Sequence, residues 1–438
     1  SAIASLCPII EAFFVFHSHL WPSKEKAHEI DSSNEAVQKE FASENDMFGF
    51  VCRYSTILNS LMREQPELLK SPLAKITLFP SLLSFDIKRK HFQKQLHQID
   101  SRPSKVLKIR VNRATMCEDS FQKMRHLSAE DMKHRISVQF EGEPGVDAGG
   151  LLKDWYQELS KQIFNPNYAL FTHSADTTFQ PNKDSFINPH HLDFFKFCGR
   201  IIGKAIFDGA QMDVHFTRSF YKHILGKKVV WRDIEAIDPE FYKNLQWLLE
   251  HDVTDLDMNF SVASNSFGKV TPVDLIPNGS DIPVTEENKE QYIQCIAEYK
   301  MTHTIEKQIA AFKDGFYELI PHTLVSMFNE LELGLLISGL PDIDIQDLKR
   351  NTEYRGYTTD SPVVRFFWDI VMNRFTDADR ALFLQFVTGS SQVPLDGFAS
   401  LQGMNGLQKF RIVRTEDTKR LPTAHTWYVN HPTLLFLY

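Results

Sequence analysis

Residues 191–207 read HLDFFKFCGRIIGKAIF, and the reading of this stretch decides the fold. A helix exposed to water on one side carries its apolar residues in a stripe, whereas here they run nearly all round, so the segment reads as a central helix buried on every side. Upstream, LSAEDMKHR (127–135) starts a helical turn with Ser128 and Asp131 at capping-box-like spacing and leads into RISVQF (135–140), whose alternation reads as a strand. The loop EGEPGVDAGG (141–150) then feeds a helix over 151–164, with Leu152, Trp155, Leu159 and Ile163 on one face and Pro166 as its stop. Downstream, FTRSFYKHILG (216–226) places Phe216, Phe220 and Ile224 at helical spacing, with Gly226 as C-cap. Helices interleaved with short strands make the body α+β.

Two amphipathic helices come next, DPEFYKNLQWLLEHD (238–252) and TIEKQIAAFKDGFYELI (304–320). Leu245, Leu248 and Leu249 on the first, with Phe312 and Phe316 on the second, read either as the lining of a groove that receives a partner's loop or as ordinary core. Before residue 100 the reading is helical, with Val51, Tyr54, Leu58 and Leu61 recurring at a helical period and Ile87, Phe92 and Leu96 forming a buried stripe. The cations Lys88, Arg89 and Lys90 are expected on a solvated face of that last helix. SRPSKVLKIRVNR (101–113) reads as a linker and a strand, and NTEYRGYTTDSP (351–362) as a second boundary near residue 356. Beyond it, Thr376 and Asp379 are expected to cap a helix, and KFRIVR (409–414) to form a strand.

Composition excludes several classes. Hydrophobic residues at 42% and charged ones at 24% match a folded globular protein, and 35 phenylalanines promise aromatic contacts in the core. With 48 basic and 56 acidic side chains the net charge is −8, so a phosphate backbone is on balance repelled and no direct nucleic-acid partner is expected. No apolar run is long enough to cross a membrane. The chain begins at Ser1 without a basic leader and reads as part of something longer. Its five cysteines are odd in number, scattered and without ligand spacing, a pattern of reducing compartments such as cytoplasm or nucleus.

Tests for familiar chemistry fail. The glycine-bearing loop at 141–150 fits neither a P-loop nor a GxGxxG spacing, and Glu141, Glu143 and Asp147 would repel phosphate, so a tight connector is expected. Adjacent His190 and His191 point about 100° apart on a helix and do not share an ion as an i, i+4 pair does. No HExxH or GxSxG pattern occurs. No metal or cofactor is expected.

The segment RLPTAHTWYVNH (420–431) presents residue 427 on a turn after a proline-led approach and beside a potential base, His425. The residue presented is Trp427, and an indole is not a nucleophile.

Taken together, FEGEPGVDAGGLLKDW (140–155), FFKFCGRIIGKAIFDG (194–209), ISGLPDIDIQDLKRNTEY (337–354), LFLQFVTGSSQVPLDGF (382–398) and RLPTAHT (420–426), in this order, resemble the HECT-type ubiquitin ligases, and most closely those ending the very large Mule-type proteins. The resemblance runs from about residue 105 to Thr426. It implies a bilobal fold: a helical extension at 1–104, a large, mainly helical N-lobe at 105–355 that binds a ubiquitin-conjugating enzyme, and a small, incomplete α/β C-lobe at 356–438. It also implies that Tyr354, Arg355 and Gly356 form the hinge, and that Leu245, Leu248, Leu249, Phe312 and Phe316 fall in the region of the conjugating-enzyme groove.

The implied chemistry is transfer of ubiquitin through a cysteine thioester to substrate lysines, with ubiquitin, a conjugating enzyme and protein substrates as partners. Sulfur suits the task because an unperturbed thiol, with a pKa near ~8.5, supplies some thiolate at neutral pH. Arg420, His425 and Thr426 match the family pattern as supporting residues, and Trp427 stands at the cysteine position. No cysteine follows Cys295. Family members continue past this point as a strand and a closing helix. Here WYVNHPTLLFLY takes their place, an abrupt change that reads as an altered reading frame, retained intron or alternative last exon. The expectation is a C-lobe without its last strand, with TLLFLY (433–438) as an exposed, aggregation-prone edge. Two functions stay open: a ubiquitin transferase whose cysteine this chain lacks, or a catalytically dead module that binds and sequesters a conjugating enzyme.

Overall fold

The computed structural model describes the chain outside residues 1, 17–18, 20, 22–40, 43–44, 70–72, 100–105, 144–149, 175–177, 267–268, 340–342, 376–379, 381–382, 385–386, 388–392, 394–396, 404–405, 408, 415–422, 426–432 and 437–438. It divides into two units, Ser1–Ser101 with Pro321–Glu332, and Arg102–Ile320 with Leu333–Tyr438.

The first unit is helical: α1 (Ala2–Phe16), α2 (Asp46–Arg53), α3 (Ser55–Glu64) and α4 (Phe85–Ile99), with 3-10 turns between the last two. Asn45 starts α2 by accepting the Phe48 N–H at 2.9 Å. The periodic stripe crosses from α2 into α3 and buries Val51, Leu58 and Leu61, whereas Tyr54 falls at the break between the helices and is exposed. Trp21 stacks on Phe79 in the same core, and the Phe48 ring packs tilted against Phe79. Ile87, Phe92 and Leu96 of α4 are buried as expected.

The expectation for the cations beside them is corrected: Lys88 and Arg89 are only 3% and 7% exposed. Lys88 is drawn inward by an ion pair with Glu332 at 2.8 Å, and Phe328 packs edge-on against Phe85 and Phe92. Residues 321–332, read from sequence as part of the N-lobe, therefore fold with the helical extension.

The second unit opens with β1 (Val106–Val111) parallel to β2 (Arg135–Phe140), in register from Val106↔Arg135 to Val111↔Phe140. Parallel strands need a crossover, supplied by α5 (Met116–Met124) and the one-turn helix Ala129–Met132, where Ser128 accepts the Asp131 N–H at 3.1 Å. Helix α6 (Gly150–Ile163) buries Trp155, whose indole N–H bonds Ser120 Oγ at 3.0 Å.

Helix α7 (His191–Asp208) is the central helix, with 13 of its 18 residues buried. After β3 (Phe171–His173) and β4 (Phe179–Pro181), α8 (Arg218–Leu225) ends in Gly226 at φ +71°, the expected left-handed cap. Helices α9 (Pro239–Glu250) and α10 (Lys289–Met301) flank the hairpin β5 (Ser261–Ser266) and β6 (Lys269–Asp274). Helix α11 (Glu306–Tyr317) lies against α7 so closely that a Cβ on Gly199 would sit 2.0 Å from the Phe312 carbonyl oxygen, and one on Gly315 2.0 Å from that of Lys196. Cations in this seam are paired: Arg200 with Glu318 at 2.7 Å, and Lys204 with Asp208 at 2.6 Å.

Towards the C-terminus, α12 (Ile345–Arg350), β7 (Thr352–Arg355) and α13 (Pro362–Asn373) share a core in which Ile345, Leu348, Trp368, Phe398 and Ile412 meet. Packing therefore joins residues 345–355 to the C-terminal segment, and the boundary read near residue 356 does not mark the start of this core. The two-residue strands β8 (Gln402–Gly403) and β9 (Gly406–Leu407) precede β10 (Phe410–Arg414), β11 (Thr423–His425) and β12 (Thr433–Phe436). The sheet order is β11-β12-β10-β7, with β10 parallel to both neighbours. Thr433–Phe436 is thus an interior strand, not the exposed edge its composition suggested, because β10 offers it an unpaired side. The cap at Thr376 and Asp379 lies outside the described residues.

Candidate functional site

The proline-led approach places its last residues on β11, antiparallel to β12, with Thr423↔Leu435 and His425↔Thr433 as partners. His425 closes the strand, and the segment 426–432 that joins it to β12 carries Thr426 and Trp427. Arg420, Thr426 and Trp427 lie outside the described residues.

Four cysteine side chains are among the described residues. Cys117 and Cys198 are fully buried, Cys52 and Cys295 half-buried, and all four are free. Burial pushes each thiol up, Cys117 to about 12. A thiol shifted in that direction carries less of the nucleophilic thiolate at neutral pH.

The expected groove residues separate. On α9, started by Asp238 accepting the Phe241 N–H at 3.0 Å and by Pro239 in the first turn, Leu245 is buried against Val229, Ile234, Phe260 and Ile293. Leu248 and Leu249 are half-buried at the rim of that small core, beside Phe241, Tyr242 and Met258. Phe312 and Phe316 are elsewhere. They lie on the α7 side of α11, each 0% exposed, with the Phe312 ring edge-on to Phe216 and Phe220. Side chains with almost no exposed surface cannot meet a partner's loop, so Phe312, Phe316 and Leu245 take the ordinary-core reading, and of the five only Leu248 and Leu249 stay at a rim.

The same rim holds residues that periodicity did not single out. Trp247 is 47% exposed and stacks on His251 at 4.3 Å, next to Leu248. Trp231 stacks on Tyr242 at 5.3 Å, and Lys300 Nζ sits 3.6 Å over the Phe241 ring while pairing with Asp238. An aromatic next to the buried stripe, rather than in it, was the available signal.

The expected hinge residues are partly built into the sheet. Tyr354 and Arg355 pair with Ile412 and Val413 of β10, and the Tyr354 hydroxyl accepts the Trp368 indole N–H at 2.8 Å. Burial pushes the Tyr354 hydroxyl up. Gly356 comes next at φ +77°, where a Cβ would lie 2.9 Å from that of Arg414.

His191, at the start of α7, bonds Ser185 Oγ at 2.9 Å, and the Gln308 amide donates to the same hydroxyl at 3.1 Å. His190 flanks the helix as N-cap. The His190 side chain makes no capping bond, and among the described residues no cluster of three or more His, Cys, Asp or Glu side chains could hold a metal. No described helix is long and apolar enough to cross a membrane.

Comparison with known proteins gives concordant matches. The model of the HECT-domain (ubiquitin-transferase) family matches residues 157–429. The E3 ubiquitin-protein ligase UPL2 of Arabidopsis thaliana is 47% identical over 97% of this chain and 12% of its own length. HUWE1 of Mus musculus is 48% identical over 86% of this chain and 9% of its own. TOM1 of Saccharomyces cerevisiae is 43% identical over 97% and 13%. The chain thus spans roughly an eighth or less of the curated relatives it matches.

Proposed function

The chain belongs to the HECT-domain ubiquitin-transferase family, and on that premise we propose that its protein passes ubiquitin from a conjugating enzyme to substrate lysines through a cysteine that this chain replaces with Trp427. In that chemistry a thiolate sulfur attacks the thioester carbonyl carbon of ubiquitin on the conjugating enzyme, and the enzyme's own thiolate leaves. A substrate lysine amine then attacks the new thioester, loses a proton to a base and expels the sulfur. Arg420 and His425 would orient the acyl group and the incoming partner, and Thr426 would shape the turn. The indole of Trp427 has its nitrogen lone pair delocalised in the ring and offers no acceptor.

The observation that carries the reading is RLPTAHT at 420–426 with Trp427 directly after it. The test is incubation with ubiquitin-loaded conjugating enzyme, resolved with and without reductant. No reductant-sensitive adduct is expected on this chain, and Trp427→Cys is expected to acquire one. An adduct on the unmodified chain would overturn the reading of position 427.

The half-exposed rim around Leu248 and Leu249 favours a second reading, capture of a conjugating enzyme without transfer. Binding without an adduct supports that activity.

A further inference from the structure

We propose that a pocket in the helical unit, between α3, the 3-10 turn Pro66–Leu69 and α4, docks a short acidic peptide segment that carries one bulky apolar side chain. The cavity holds about 280 Å³. That is below the usual range of roughly 300–1,000 Å³ for small-molecule and cofactor sites and suits a side chain or two.

Its floor is apolar, made by the buried side chains of Met62, Leu69 and Ile87. Its rim is cationic and unevenly satisfied. Arg63 is held by Asp86 at 2.7 Å, and Lys94 pairs with Glu67, so these charges largely cancel. Lys90, His91 and Gln95 also line the cavity, yet make no side-chain hydrogen bond or ion pair with the described residues. Polar groups not engaged within the fold, at the edge of an apolar floor, are available to a ligand that supplies acceptors. Desolvation, and then the Lys94 charge, lower the His91 pKa and disfavour its charged form. Lys90 keeps the rim positive on a chain whose net charge is −8, which selects an anion.

Spacing argues for a peptide. His91 and Gln95 are one helical turn apart, so this donor row has a repeat of about 5–6 Å, with Lys90 next to it in the chain. Residues i and i+2 of an extended chain are about 6.6 Å apart and point to the same side. Two carboxylates at that spacing meet His91 and Gln95, with an apolar side chain reaching the floor.

The test is fluorescence anisotropy of the full chain with a labelled nonapeptide in which a central leucine is flanked by glutamates. Saturable binding that weakens in high salt is expected. Replacing the leucine by serine, or the glutamates by lysines, should abolish it. Lys90→Glu should weaken binding roughly tenfold with an unchanged circular dichroism spectrum, since Lys90 is exposed at the rim, and Gln95→Ala severalfold. Absence of saturable binding, or equal binding by Lys90→Glu or by the lysine peptide, would overturn the proposal. Displacement of the peptide by hexanoate at equal concentration would assign the pocket to small carboxylates and overturn it equally.

Discussion

At Gly199 a single hydrogen atom is all the space the α7–α11 seam leaves, because a Cβ there would overlap the Phe312 carbonyl oxygen at 2.0 Å. Backbone cannot yield as a flexible side chain does, so Gly199→Ala is expected to cost about 3 kcal/mol in urea denaturation. Asp86 gives a prediction in pH. The hydrogen bond from Arg63, more than any other contact, lowers its pKa from 3.8 to about 2, with burial opposing. A carboxyl with a depressed folded pKa adds stability above its unfolded pKa, and that contribution is lost as pH falls from about 4 through 2. The pair is solvent-screened, so Asp86→Asn should lower stability by only about 0.5–1 kcal/mol at pH 7 and by nothing measurable below pH 2. Trp427 was legible from residue identity alone, since no packing turns an indole into an acyl acceptor. Burial of Phe312 and Phe316 was not legible: an i, i+4 aromatic pair looks the same whether it faces a groove or a neighbouring helix.

Among elements, α4 shows how a polar face is overruled by what lies against it. Lys88 is buried because Glu332, Phe328 and the Met327 carbonyl come from a segment more than two hundred residues away in the chain. Glu332→Ala leaves that ammonium buried without its carboxylate and is expected to cost about 3 kcal/mol by chemical denaturation. Lys88→Met combined with Glu332→Leu should be close to neutral, because it removes both charges together. The ending of the chain makes the same point in a sheet. Thr433–Phe436 has strand composition in any context, and pairing with β10 on one side and β11 on the other makes it interior.

For the whole molecule, the separation of the five groove candidates predicts two different failures. Leu248→Ala should leave the fold intact and weaken capture of a conjugating enzyme by about tenfold. Phe312→Ala should instead destabilise the chain by about 3–5 kcal/mol, lowering the melting temperature whether or not a partner is present. Differential scanning fluorimetry beside a binding titration separates the two. Local pattern alone determined much of this protein. The all-round apolar run marked α7 as central, alternation located β1, β2 and β10, Gly226 ended α8, and five ordered motifs carried the family. These are properties of neighbouring residues and survive in one dimension. The tertiary structure decided which apolar faces stay exposed, that residues 321–332 fold with the helical extension, that residues 345–355 pack with the C-terminal segment, and that Thr433–Phe436 lies inside a sheet. Each of those depends on which distant segment occupies the other side, and burial is a property of the pair of surfaces, not of either sequence.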